Sequence, residues 1–202
     1  MHIVSDLGDG VALLYIDRIF LHERTGSVAL LGVEQSGREI SHPEKTFCTM
    51  DHIVDTLPNR DDNTLMPGGR DFIQTTRKAA KASGINLFDI GQDEQGIVHV
   101  ISPEQGIVLP VLTLVCPDSH TCTQGAFGAL AWGIGSTEAE HAMVTDTLRV
   151  DRPKTMRVSF KGKCADDVSA KDMILHLIGN YGAAGGGGFA VEFAGEAVTD
   201  LS

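Results

Sequence analysis

The chain is short of positive charge: among 202 residues, 16 lysines and arginines stand against 27 aspartates and glutamates, a formal net charge of −11. No basic run relieves that deficit, which argues against binding to nucleic acid or to an anionic membrane surface. Long apolar stretches able to span a bilayer are absent too, and the first residues show no signal-peptide pattern. The four cysteines, Cys48, Cys116, Cys122 and Cys164, have neither C-x-x-C spacing nor a tight disulfide framework, so a reducing compartment, the cytoplasm, is expected. Two glycine-rich tracts, 125–135 and 180–188, lack the spacing and the Lys-Ser/Thr ending of phosphate loops, and read as tight turns and close backbone packing. No internal repeat is visible.

What is present suits a globule: 42% hydrophobic residues, enough for a real core. The length fits one α/β domain, with room for a subdomain boundary near 150–165. Residues 11–16 read as a strand and 18–22 as the opening of a short helix or loop. Over 71–83 the residues Phe72, Ile73, Thr76, Ala79 and Ala80 share a helical face, with Gly84 as the C-terminal stop. Residues 86–90 and 96–101 read as strands, and the apolar run 107–115 as a buried strand. Thr137 with Glu140 predicts a capping box for a helix through Leu148. Residues 156–160 alternate like a half-buried strand. Ser169 with Asp172 starts a second capped helix, which turns Met173, Ile174, Leu177 and Ile178 inward. A last strand covers 189–193.

The functional signal lies where strands end. Asp118-Ser119-His120 follows the buried run, Asp51-His52 follows a short β-like stretch, and His99 sits inside the 96–101 segment. In open α/β sheets that rim is where ligands bind. A neutral imidazole needs a partner to fix its tautomer, and a carboxylate both orients it and raises its basicity. That is equipment for adding or removing water at a small, multiply charged acid. One Asp–His pair is more often a surface turn or a satisfied core group; three such sites at strand ends are harder to dismiss. Cys116 and Cys122 flank the Asp-Ser-His triplet, but read as small buried hydrophobes. His42 reads as a loop residue, and His141 and His176 as structural residues on helices.

Seven stretches, in order, carry a resemblance: Asp17-Arg18 with His22-Glu23; Lys45-Thr46-Phe47-Cys48-Thr49-Met50-Asp51-His52; Gln95-Gly96-Ile97-Val98-His99; Cys116-Pro117-Asp118-Ser119-His120-Thr121; Gly125-Ala126-Phe127-Gly128-Ala129-Leu130-Ala131; Gly133-Ile134-Gly135-Ser136-Thr137-Glu138; and Ser169-Ala170-Lys171-Asp172. Over essentially the whole chain this resembles the large subunits of 3-isopropylmalate dehydratases, in the aconitase family. The resemblance implies an aconitase-like N-terminal region, a layered α/β/α fold with active-site residues at strand ends. It also implies a hydro-lyase that isomerises 2-isopropylmalate to 3-isopropylmalate in leucine biosynthesis. Such enzymes use a 4Fe-4S cluster held by cysteines in a later half, and a small partner subunit carries their swivelling domain. The chain therefore corresponds to an N-terminal portion, expected neither to hold the cluster nor to turn over by itself.

By motif, Asp51-His52 would protonate the departing hydroxyl, and Asp118 would orient His99. Ser119 would bond a substrate carboxylate, and His120 would face the iron-bound oxygen, its own carboxylate partner lying beyond residue 202. Arg18 could bind a carboxylate or pair with Asp17. His22 falls at a substrate-contacting position, although Arg24-Thr25-Gly26 departs from the usual family sequence. Other readings stay open: a related hydro-lyase for citraconate, dimethylmalate or homoaconitate, or a non-catalytic piece that only binds the small subunit. A mononuclear metal hydrolase on His52, His99 and His120 lacks a His-x-x-x-His pairing.

Overall fold

Ile19-Phe20-Leu21 is an apolar run without a polar break, and each residue is at most 2% exposed. Such a run suits a parallel strand covered on both faces, not the short helix or loop expected from the sequence. The computed structural model describes residues 2–201. Its contacts divide the chain into two units, Met1–Val150 and Asp151–Ser202, each taken here by itself.

The first unit runs β1 (Ile3–Gly8), β2 (Val11–Tyr15), β3 (Arg18–His22), α1 (Glu23–Gln35), β4 (Thr46–Thr49), α2 (Gly69–Ser83), β5 (Asn86–Phe88), α3 (Val98–Glu104), β6 (Thr113–Cys116), β7 (Leu130–Gly133), α4 (Ser136–Thr145) and β8 (Thr147–Asp151). Strands β1 and β2 pair antiparallel, and β8 joins them in a small sheet of order β1-β2-β8. The main sheet is parallel, in the order β5-β4-β3-β6-β7. The chain builds outward from β3 through β4 to β5, then returns to the other side of β3 for β6 and β7. The order therefore reverses between β3 and β6. This is a mixed α/β fold, as the sequence led us to expect.

Side chains alternate across the sheet, and the core divides accordingly. Ile19, Leu21, Cys48 and Val115 face one way and pack with Leu30 and Val33 of α1, Ala80 of α2 and Met143 of α4. Phe20, Leu114 and Cys116 face the other way and pack with Val98 and Ile101 of α3 and with Ile107 and Val108. Both faces are covered. Helix α2 buries Ile73, Thr76, Ala79 and Ala80 as its periodicity predicts, and Gly84 ends it at a left-handed φ of 70°.

Three local expectations give way. Residues 96–101 do not form a strand: Val98 and Ile101, three apart, are buried while Val100 is exposed, so the helical period wins. The run 107–115 is strand only from Thr113, because Pro110 offers no N–H and Val111 takes a φ of 66°. The capping carboxylate of α4 is Glu138, which accepts the Gly135 N–H at 2.9 Å, whereas Glu140 pairs with Arg38 at 3.4 Å.

The second unit holds β9 (Lys154–Ser159), α5 (Ala170–Tyr181), β10 (Phe189–Ala194) and the short α6 (Glu196–Thr199). Strands β9 and β10 pair parallel from Lys154↔Phe189 to Ser159↔Ala194, with α5 as the crossover that parallel pairing needs. Ser169 caps α5 as expected: its hydroxyl accepts the Asp172 N–H at 3.3 Å, and Asp172 Oδ2 accepts the Ser169 N–H at 2.8 Å. Met173 is buried there, but Ile174 and Ile178 are exposed, contrary to the inward face expected for them. Among the described residues, no helix is long and apolar enough to cross a membrane.

Candidate functional site

Open doubly wound sheets leave a crevice at the carboxyl ends of the strands where the order reverses. Here that point lies between β3 and β6. His22 ends β3, Asp51 and His52 follow β4, and Asp118, Ser119 and His120 follow β6. His99 enters from α3. The topology thus gathers residues separated by nearly a hundred positions.

Asp118 is the centre. Its Oδ1 accepts from His99 Nε2 at 2.7 Å and from the His120 N–H at 2.8 Å, and its Oδ2 lies 3.1 Å from His52 Nε2. Burial opposes the charge, but the bonds from His99, the His120 amide and His52 overcome it, and the carboxyl is held well below the usual carboxylate range. Gly133, at the end of β7, lets the chain approach: a Cβ there would sit 2.6 Å from the Asp118 carbonyl oxygen.

His52 is gripped at both nitrogens, with Nδ1 2.7 Å from Asp51 Oδ1. The Asp51 bond, opposed by partial burial and assisted by the Asp51 charge and the Asp118 hydrogen bond, raises its pKa to about 9. The ring is therefore an imidazolium at neutral pH. Asp51 is fixed in turn, because its Oδ2 accepts the Val98 N–H at 2.7 Å in the first turn of α3.

His22 behaves oppositely. Burial and the neighbouring charge of His52 lower its pKa to about 4. Its Nε2 donates to the Pro117 carbonyl at 3.1 Å, and Nδ1 is buried without a hydrogen-bond partner. The two rings stack with centroids 3.5 Å apart and planes 14° from parallel. Two stacked imidazoles share one positive charge.

The carboxylate–imidazole chain thus runs Asp51–His52–Asp118–His99. Gln124, fully buried, extends it: its side-chain amide donates to the His99 carbonyl at 3.1 Å and lies 3.3 Å from Nδ1. A donor at Nδ1 places the His99 proton on Nε2, facing Asp118. Ser119 and His120 stand exposed at the rim, 3.2 Å apart through Oγ and Nδ1. Arg18 does not join them. It opens β3, four residues or about 13 Å upstream of His22 at roughly 3.3 Å per residue, and its Nη1 donates to the Asp17 carbonyl at 2.8 Å.

Sequence reasoning passed over Glu23 and Gln124. Glu23 was noted only as the neighbour of His22, yet its buried carboxylate accepts amides from the loop that carries Asp51 and His52. The acidic start of α1 was the only signal available.

His22, Glu23, Asp51 and His52 bring ligand-type atoms within 4.8 Å of one another. They do not form a metal cradle. The Glu23 oxygens are occupied by backbone N–H groups, and an ion cannot lie in the planes of two face-to-face rings.

A doubly wound α/β domain with a chain of carboxylates and imidazoles at its switch point belongs to the class of proteins suited to acid–base chemistry on a bound ligand. The family profile described as "Aconitase family (aconitate hydratase)" matches residues 1–202, and the chain belongs to the aconitase family. Its chemistry is accordingly of the hydro-lyase type.

Members of this family generally use a 4Fe-4S cluster. The described thiols do not fit one. Cys48 and Cys116 are buried in the sheet, where desolvation pushes their thiols up, away from the thiolate a cluster needs. Cys122 is exposed on a turn of the first unit, and Cys164 belongs to the second.

Proposed function

We propose that this chain supplies the proton-transfer side of a 3-isopropylmalate dehydratase, acting as its large subunit, or part of it, in leucine biosynthesis. The observation that carries the reading is the His52 ring, held at both nitrogens between the Asp51 and Asp118 carboxylates at the switch point of the sheet. The His52 Nε2 contact with Asp118, at 3.1 Å, is the looser of the two, so a substrate hydroxyl can take that proton. The hydroxyl leaves as water. The proton on the adjacent carbon goes to a base on the small partner subunit that carries the swivelling domain. The unsaturated diacid then takes water back with the opposite regiochemistry, and His52 recovers its proton. Asp118 keeps His99 in the tautomer that presents Nε2–H, and Ser119 Oγ binds a substrate carboxylate. His120 turns toward the oxygen being transferred. His22 stays neutral beneath His52, so a second positive charge does not compete for the site.

The test is turnover by the anaerobically purified, cluster-loaded enzyme that contains this chain and its small partner subunit, across 2-isopropylmalate, citraconate, dimethylmalate and homoaconitate. Turnover of 2-isopropylmalate, lost in His52→Asn, supports the reading. Preferred turnover of another acid reassigns the substrate, and turnover of none refutes the function.

A further inference from the structure

Glu23 is fully buried at the first position of α1, where the helix dipole favours a negative group. Its Oε2 accepts the Asp51 N–H at 3.0 Å, and Oε1 accepts the N–H groups of His52 at 2.8 Å, of Ile53, and of Val54 at 3.3 Å. A single carboxylate therefore gathers four consecutive amides of a segment that belongs to no helix or strand. The main chain of Glu23 is itself tied down, since Thr76 Oγ1 of α2 donates to its carbonyl at 3.1 Å.

We infer that Glu23 is a positioning residue: its carboxylate sets the turn at 51–54 and thereby holds the Asp51–His52 pair against Asp118. The physical case is one of satisfaction. Four adjacent N–H groups at the end of β4, partly buried except for the buried Ile53 amide, have no sheet partner there, and leaving donors shielded from water unpaired is costly. Accepting all four fixes the backbone direction from which the Asp51 and His52 side chains depart. Asp51 can then reach the first turn of α3 and His52 can reach Asp118. The role of Glu23 in proton transfer rests on the proposed function; its hold on the turn does not.

The test is Glu23→Gln, which keeps the side-chain length but turns an N–H donor toward one of the amides. Two nuclear magnetic resonance readouts are followed in the full chain. The amides of residues 51–54 should shift and lose protection from hydrogen exchange, and the His52 imidazole midpoint should fall from about 9 toward 6.5. The His99 resonances should move far less, because His99 is held by Asp118 and Gln124 and not by the turn. In the assembled enzyme kcat should fall with KM little changed. A folded variant with unchanged 51–54 amides and an unchanged His52 midpoint overturns the assignment. If the variant does not fold, exchange in the unmodified chain decides: protected amides at 51–54 support the hold, and free exchange at all four overturns it. Failure of the unmodified enzyme to turn over any tested acid would refute the functional reading instead, and leave the amide result standing.

Discussion

In the first unit Phe20 and Leu21 point to opposite faces of a sheet, and both are at most 1% exposed; in the second, Val191 and Phe193 on β10 are 38% and 46% exposed. The local rules are the same in both places. Each strand carries apolar residues, and the parallel pairs β3–β4, β4–β5 and β9–β10 are each joined through a helix. The difference is the number of layers. A five-stranded sheet with helices on one face and α3 with its flanking loops on the other can exclude water from both sides, whereas a two-stranded ribbon with α5 and the four-residue α6 cannot. Burial is a property of the assembly, not of the residue. The same difference explains where chemistry sits: only a sheet that winds both ways has a switch point, and only the first unit has one.

Four expected outcomes would break or sharpen that comparison. The largest is on turnover. Asp118→Asn removes the negative charge and one of the two oxygens that serve His99 and His52, and should cost about 10²–10⁴-fold in kcat, with the circular dichroism unchanged. The second unit offers the control. Asp172→Asn loosens the capping box of α5 and should leave turnover alone. Equal losses would mean that the site is not confined to the first unit.

Next comes core stability. Leu114→Ala, in the fully buried β6, should cost about 2–5 kcal/mol in denaturant unfolding. The chain's single tryptophan, Trp132 on β7, reports the transition.

A smaller effect follows pH. The His52 pKa is raised, so its contribution to stability is complete below about 6.5 and is lost as pH rises through about 9. The His22 pKa is lowered, so the folded state resists a proton that the unfolded chain accepts, and stability falls as pH drops from 6.5 toward about 4. Asp118, held below the usual range, adds a further loss below about pH 4. Unfolding at a series of pH values should therefore show greatest stability near 6.5. A maximum near pH 9 would contradict the assignment of charge to His52.

The smallest effect belongs to the second unit. Leu175→Ala on α5, 54% exposed, should change stability by no more than about 0.5 kcal/mol, read by amide exchange along the helix. A cost approaching that of Leu114→Ala would erase the contrast between the units.

Much of this was legible in the sequence where the signal is local. Helix α2 shows its period, α5 shows its cap, and Asp51-His52 and Asp118-Ser119-His120 mark themselves by adjacency. What was hidden depends on partners distant in sequence. Residues 18–22 are a strand because β4 and β6 flank them, and residues 98–104 are a helix because Ile101 finds the β6 side of the core. Of the two roles open to Arg18, a substrate carboxylate or Asp17, strand direction puts it at the end of β3 away from the crevice, where it bonds the Asp17 carbonyl. Glu23 and Gln124 escaped notice because their partners lie 28 to 31 and 25 residues away, at distances no spacing rule covers.

The central claim is that the stacked imidazoles divide one positive charge, with His52 protonated and His22 neutral. Titration of the histidine ring resonances in the unmodified chain tests it most directly. The account predicts a midpoint near 9 for His52 and near 4 for His22, with the lower step absent in His22→Gln. Two midpoints close to 6.5, or the reverse order, would contradict it.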